Sequence, residues 1–542
     1  MKGWRARTFY LTRDTRFIRN AAAAIIGVCF VIAYASSKAP KHEVPVEALD
    51  DDEALLAHEE KIWREQAGET YLLLNETANT PDAVAEWLRD VASRRDDAAG
   101  AWVFDPAQLR LAEFDLNMLL DKHVDDLGSR DAFGDYARAL LIKEKEGRGH
   151  AVERLREAAA LVKSPRYANE FFGDVVVKNS DTAVALAAYI KEGAWPNARR
   201  ARNNAWSLAA ACNDKAALEM MLLDGKFRHD ATAHQLVVAA HLSGDFALMA
   251  RAFVVMELRE WLHWQALLAL FAASIWYVIM VYGGATGRWL WLWFLLPLSA
   301  GIVSTWLVDL GFQFFEYGHV NDDEISVPQS ILHLVFYVGL TEETAKLLFF
   351  TPFLFWLLKR GVRSDAALTA GCVGLGFAAS ENISYFMREG ATVALGRMVT
   401  ANFFHMALTG LLGVALYDWL RARCHRAEVF LLVYAVVVVA HGMYDFACGE
   451  QANAMGVDFM QIIIFVLSAR YYFHVWQPEL RHRPRQVVSS VSVFCFGCAL
   501  FIGVVMIVAG RTGDRHDIYA ALGLAVSLAP VAWIFVREFH GA

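Results

Sequence analysis

The sequence predicts an all-α protein, a polytopic membrane helix bundle of about ten spans that also carries an extracytoplasmic α-helical domain. Three observations lead there. Hydrophobic residues make up 56% of the 542 residues, and the excess is uneven, because beyond Trp261 almost every stretch is an apolar block of about 20 residues, long enough to cross a bilayer. Residues 45–258 have the composition of a water-exposed chain, rich in Ala, Leu, Glu, Asp and Arg with little period-2 alternation. Finally, basic clusters recur at alternate loops, as the positive-inside rule requires of a multi-pass chain.

Residues 1–44 form a basic segment with Lys2, Arg5, Arg7, Arg13, Arg16 and Arg19, then an apolar run from Ala21 to Ala35. This pattern is a signal anchor or a cleaved signal peptide, and either places residues 45–258 outside the cytoplasm. The long basic segment and imperfect cleavage pattern favour the anchor. Within 45–258, Asp181, Asp214 and Asp245 recur at about 32 residues, each in a polar turn before a small apolar helix face, a period typical of stacked helical hairpins. The alternative is a helical domain without repeats whose caps coincide. Residues 259–480 form the core, with spans expected at 262–283, 289–312, 329–358, 366–387, 398–420, 428–447 and 457–476. Two further spans, 487–510 and 517–537, fall within 481–542.

Charge sets the orientation. Lys359, Arg360 and Arg363, then Arg421, Arg423 and Arg426, then Arg481, Arg483 and Arg485 mark inner loops, whereas Asp322, Asp323, Glu324 and Glu450 mark outer ones. Both termini are expected in the cytoplasm of a bacterial-type plasma membrane. The net charge of −8 offers nothing to nucleic acid. Of seven cysteines, Cys212 alone falls in 45–258, so no disulfide framework is expected there. Cys495 and Cys498 form a C-x-x-C inside an apolar helix with no second ligand pair, which suits packing.

Within the apolar half, five ionisable residues stand out: Glu342, Glu343, Glu381, His405 and His441. A charge near the bilayer centre costs at least ~2.5–3.5 kcal/mol, so each is a functional candidate. Early and late positions alternate with helix direction, which puts the residues ~9–10 Å below the outer surface at 1.5 Å rise per residue. Lys346, at i+4 and i+3 from the two glutamates, can pair with one carboxylate and leave the other to accept a proton as a general base. Asn382 could donate to a developing oxyanion. Asp445, one turn after His441, can accept its ring N–H, and Asn402, one turn before His405, can do so more weakly. Singly, each has a structural reading, a Glu–Lys pair bridging helices or an interhelical histidine. Together at one depth they are hard to assign to packing, and carboxylates with imidazoles are the groups that activate water.

These motifs, Glu342-Glu343-Thr344-Ala345-Lys346, then Phe377 to Glu381-Asn382, then His405, then His441 with Asp445, resemble the PrsW family of intramembrane proteases. More distantly they resemble the CAAX prenyl protease and bacteriocin-processing superfamily. The resemblance covers about residues 262–475. It implies hydrolysis of a peptide bond in or beside the membrane, in a membrane-protein substrate such as an anti-sigma factor, with the lipid bilayer and that substrate as partners and the helical domain as a docking surface. Two mechanisms stay open. In one, His405, His441 and a glutamate such as Glu381 hold Zn2+. In the other, Glu342 or Glu343 acts directly as base, aided by histidine and Asn382; this route is slightly favoured, since the histidines lack H-E-x-x-H spacing.

Two other functions compete. A proton- or cation-coupled transporter would use the same residue types, but no second copy of the Glu-Glu motif marks related halves. A non-catalytic scaffold or sensor of the same fold, similar to the Aph subunit of gamma-secretase, should tolerate loss of a motif residue, and none is missing.

Overall fold

The computed structural model describes residues 3–37, 81, 85, 86, 88, 89, 127–141, 145–178, 180–284, 290–315, 326–390, 393–480, 487–512 and 515–540. Among them every regular element is helical and no strand occurs. The acidic 322–324 loop, the basic 481–485 loop and most of 38–126 lie outside the described residues. The chain divides into two compact units, Val44–Val254 and the combination of Met1–Glu43 with Val255–Ala542.

In the Val44–Val254 unit, the three recurring aspartates do the same local work. Asp181, Asp214 and Asp245 accept hydrogen bonds from the backbone N–H groups of Val184, Ala217 and Leu248 at 3.4, 3.1 and 3.0 Å. Each satisfies an N–H in the first helical turn that has no partner within the helix. Three side chains also reach back across a constant 32 positions: Lys191 to Ala159 O, Lys226 to Ala194 O and Gln235 to Asn203 O. Alanines, Phe171, Trp206 and other apolar side chains fill the space between helices.

Among the described residues of the other unit, six helices are long and apolar enough to cross a membrane: Thr15–Ser36, Trp264–Val281, Leu295–Gln313, Val393–Arg421, Ala427–Cys448 and Ser490–Arg511. A seventh would be the pair Arg515–Ser527 and Ala529–Phe539, bent by 45°. The sequence leads one to expect about ten, and the difference has a physical cause. The helix Leu340–Arg360 carries Glu342, Glu343, Lys346, Lys359 and Arg360. The helix Arg363–Glu389 is diluted by small and polar residues, and in Met460–Leu480 the apolar part is the shorter Met460–Val475. The Thr15–Ser36 helix begins at Asp14, whose side chain caps Arg16 and Phe17, and packs along Ser490–Thr512, where Cys29 meets Gly503.

The Arg363–Glu389 helix is the centre of this bundle and is buried along most of its length. It packs on Trp264–Gly284, Leu295–Phe315, Leu340–Arg360 and Ala401–Arg421. Glycine permits close approaches here: a side chain at Gly374 would run into the backbone of His405, and one at Gly376 into that of Leu298. A π-helical turn, Leu334–Gly339, leads into Leu340–Arg360 and packs on the 427–448 helix at Gly442. Such a turn adds a residue to the helical ladder, here immediately before Glu342 and Glu343.

Candidate catalytic site

Helical spacing places Glu342, Glu343 and Lys346 on one face of Leu340–Arg360, and all three are buried, at 7%, 0% and 0% exposure. The Lys346 ammonium lies 3.0 Å from Glu342 Oε2, 2.8 Å from Glu343 Oε1 and 2.9 Å from His405 Nδ1. It also sits 3.9 Å from the centroid of the Phe377 ring, a cation–π contact. A single buried cation thus joins two carboxylates and an imidazole. Such a group is held in place because any missing partner would strand a charge in low dielectric.

The two histidines come from neighbouring helices, with ring centroids 5.1 Å apart. His441 Nδ1 lies 2.8 Å from Glu343 Oε1, while its Nε2 lies 3.5 Å from Glu342 Oε2 and 3.5 Å from Asp445 Oδ2. In a neutral imidazole the carboxylate at Nδ1 holds the proton there and leaves the Nε2 lone pair toward Glu342. The Thr409 hydroxyl donates to the other Glu343 oxygen at 3.5 Å. His405 Nε2 lies 3.0 Å from Glu381 Oε2, and that oxygen is 3.1 Å from Arg397 Nη2.

The structure therefore brings Glu342, Glu343, Glu381, His405, His441 and Lys346 into one connected set, with changed partners. Helix spacing assigned the His441 ring N–H to Asp445, but Glu343 takes it. The contact across the Gly339–Gly442 crossing is shorter than the one along a single helix turn. Asn402 does not orient His405, because its side-chain oxygen accepts from Asn382 Nδ2 at 2.9 Å. Asn382, expected to face an oxyanion, is fully buried and is engaged by Asn402 and by Arg397.

Arg397 is a member of this set that spacing alone does not reveal. It falls in the short helix Val393–Val399, just before the expected start of a span, where a charge reads as part of a loop. Its guanidinium meets Glu381 and Asn382 and stacks 3.6 Å from the Tyr385 ring centroid. The available signal is a lone charge between apolar neighbours, Leu395 and Met398.

The donor set can be tested against a metal ion. Glu342, His405 and His441 each offer one ligand atom, all within 4.8 Å of one another. The carboxylate in this trio is Glu342 and not Glu381, the one expected, which pairs with Arg397 instead. Two imidazoles and a carboxylate match zinc in kind, and Glu343 and Glu381 stand behind the rings as supporting carboxylates. Lys346 meets two of the three ligands, so a metal would compete with its ammonium.

Residues 287–471 match the model of a family described as PrsW family intramembrane metalloprotease, and this segment contains every residue of the cluster. No curated protein and no solved structure matches the chain.

Proposed function

We propose that the matched region is an intramembrane endopeptidase that hydrolyses a peptide bond of a membrane-protein substrate. The carrying observation is the contact set in which Lys346 joins Glu342, Glu343 and His405 while Glu343 holds His441. Glu342 is the less enclosed of the adjacent glutamates and faces the free nitrogen of His441, so it is the general base for water. Glu343 keeps the His441 ring in register, and the proton that Glu342 takes from water passes by way of His441 Nε2 to the leaving nitrogen. Lys346 supplies positive charge for the tetrahedral oxyanion. Glu381, backed by Arg397, fixes the His405 ring. If zinc is bound, Glu342, His405 and His441 hold it, and it supplies polarisation of the scissile carbonyl and of its bound water.

In this reading the helices Leu340–Arg360, Arg363–Glu389 and Met460–Leu480 also cross the bilayer. With the bent pair as one span they bring the count to ten, with both termini cytoplasmic and 45–258 outside a bacterial-type plasma membrane. The 32-residue side-chain bonds support a stacked-hairpin array in the Val44–Val254 unit, which recruits a single-pass, anti-sigma-factor-like substrate.

The test is a comparison of membrane-protein fragments in cells expressing wild type, Glu342→Gln or His441→Ala at equal membrane levels. Fragments present with wild type and absent with both variants support proteolysis. Profiles identical across all three would favour the scaffold.

A further inference from the structure

A second polar feature lies well away from the Glu–His cluster. Along Ala401–Arg421, His405 and Arg421 are separated by about 24 Å at 1.5 Å per residue. At the Arg421 end a cavity of about 320 Å³ opens between this helix, Ala427–Cys448 and Met460–Leu480. Its polar end is formed by Arg363, Asp418, His425 and Arg426. Asp418 is paired with Arg363 at 2.9 Å. Arg426 is exposed and has no carboxylate partner among the described residues, so the cavity end retains excess positive charge.

The remaining wall is apolar. Val429, Val433 and Tyr471 line it, and it continues onto outward-facing side chains such as Leu432, 64% exposed. Trp419 lies in this wall, stacked on Phe430 with centroids 5.2 Å apart. Its indole nitrogen is buried and has no acceptor. With no exposed surface, that nitrogen is closed to a ligand, and Trp419 contributes apolar surface to the wall.

We propose that this cavity binds the headgroup of an anionic phospholipid, with Arg426 facing the phosphate and Trp419 forming part of the apolar wall. The charge selects an anion, and basic pockets between membrane helices suit acidic headgroups. The wall selects a lipid over a free anion, because acyl chains would run along the exposed apolar faces. The cavity is too small for a folded protein segment.

The experiment uses the full-length protein in a neutral detergent. Thermal unfolding and native mass spectrometry are followed with phosphatidylglycerol, phosphatidylcholine or inorganic phosphate added. Wild type should retain phosphatidylglycerol several-fold more than phosphatidylcholine and be stabilised by it, with the preference falling as salt rises. Arg426→Gln, at an exposed position, should remove most of that preference. Equal retention of both lipids by wild type would overturn the proposal without recourse to any variant. So would undiminished preference in Arg426→Gln, or equal stabilisation by inorganic phosphate, which would make this a free-anion site.

Discussion

Replacing Lys346 by Met tests the site's electrostatics most sharply. Methionine keeps much of the side-chain length, so the change removes a charge more than a volume. Glu342 and Glu343 then face each other without the ammonium that lies 3.0 and 2.8 Å away. At an effective dielectric near 20, each contact is worth roughly 5 kcal/mol of gross attraction, and desolvation offsets much of it. What matters is the loss of one partner from a buried set, which costs about 3–5 kcal/mol. That is a large part of the ~5–15 kcal/mol that separates folded from unfolded domains. A second substitution should rescue the first: Lys346→Met with Glu343→Gln removes the cation and one carboxylate, and should recover about half of the loss. Denaturant unfolding of the purified protein in detergent, read as a double-mutant cycle, measures both. Wild-type stability for Lys346→Met, or simple additivity in the double variant, would refute the reasoning.

Further outcomes are expected from the same geometry. Glu342→Gln should lower peptidase turnover by about 10²–10⁴-fold, the range for loss of a general base, with a modest fall in unfolding midpoint from its lost pair with Lys346; Glu343→Gln should lower the midpoint further, because Glu343 is fully enclosed by Lys346 and His441. Arg397→Gln should reduce turnover at least tenfold by freeing Glu381 from its partner, and Arg397→Lys should restore part of it, as read in a fixed-substrate cleavage assay. Gly374→Leu should cost several kcal/mol and abolish membrane accumulation, since the new side chain meets the His405 backbone. In the Val44–Val254 unit, burial, with added negative charge from Asp174 and Glu192, pushes Glu170 up to about 7 against the opposing pull of Arg89. A carboxyl raised in the folded state stabilises fully below its ordinary value of 4.5, and that contribution is lost as pH rises to about 7. The loss amounts to roughly 3 kcal/mol. Protection of the 168–177 amides in the full chain, taken relative to the base-catalysed intrinsic exchange rate at each pH, should therefore fall from pH 5 to pH 8, and Glu170→Gln should flatten that fall.

How much of this was legible in the sequence depends on whether a contact is local. The Glu342–Glu343–Lys346 grouping follows from helix geometry alone, and so do the caps at Asp181, Asp214 and Asp245. Interhelical partners do not follow from spacing. Asp445 is the natural neighbour of His441 along its own helix, but the close glycine crossing at Gly442 delivers Glu343 instead. Arg397 was hidden because a charge at a span boundary reads as a solvated end, whereas a short buried helix turns it onto Glu381. The span count suffered from a related effect. A helix that carries a site's charges, or is diluted by small and polar residues, is less apolar than a membrane span needs to be by hydropathy. The cavity beside Arg426 could not be read from the sequence at all, since four separate helices and a connecting turn line it.

Whether this cluster of carboxylates and imidazoles cuts peptide bonds is decided by cleavage with the purified protein. Wild type and Glu342→Gln would be reconstituted into liposomes with solubilised membrane proteins of the host, and new N-termini mapped by mass spectrometry. New termini within or beside the spans of membrane proteins are expected from wild type and not from Glu342→Gln of equal folded content. The same termini at the same rate from both would contradict a catalytic role for Glu342 and, with it, the proposed peptidase site.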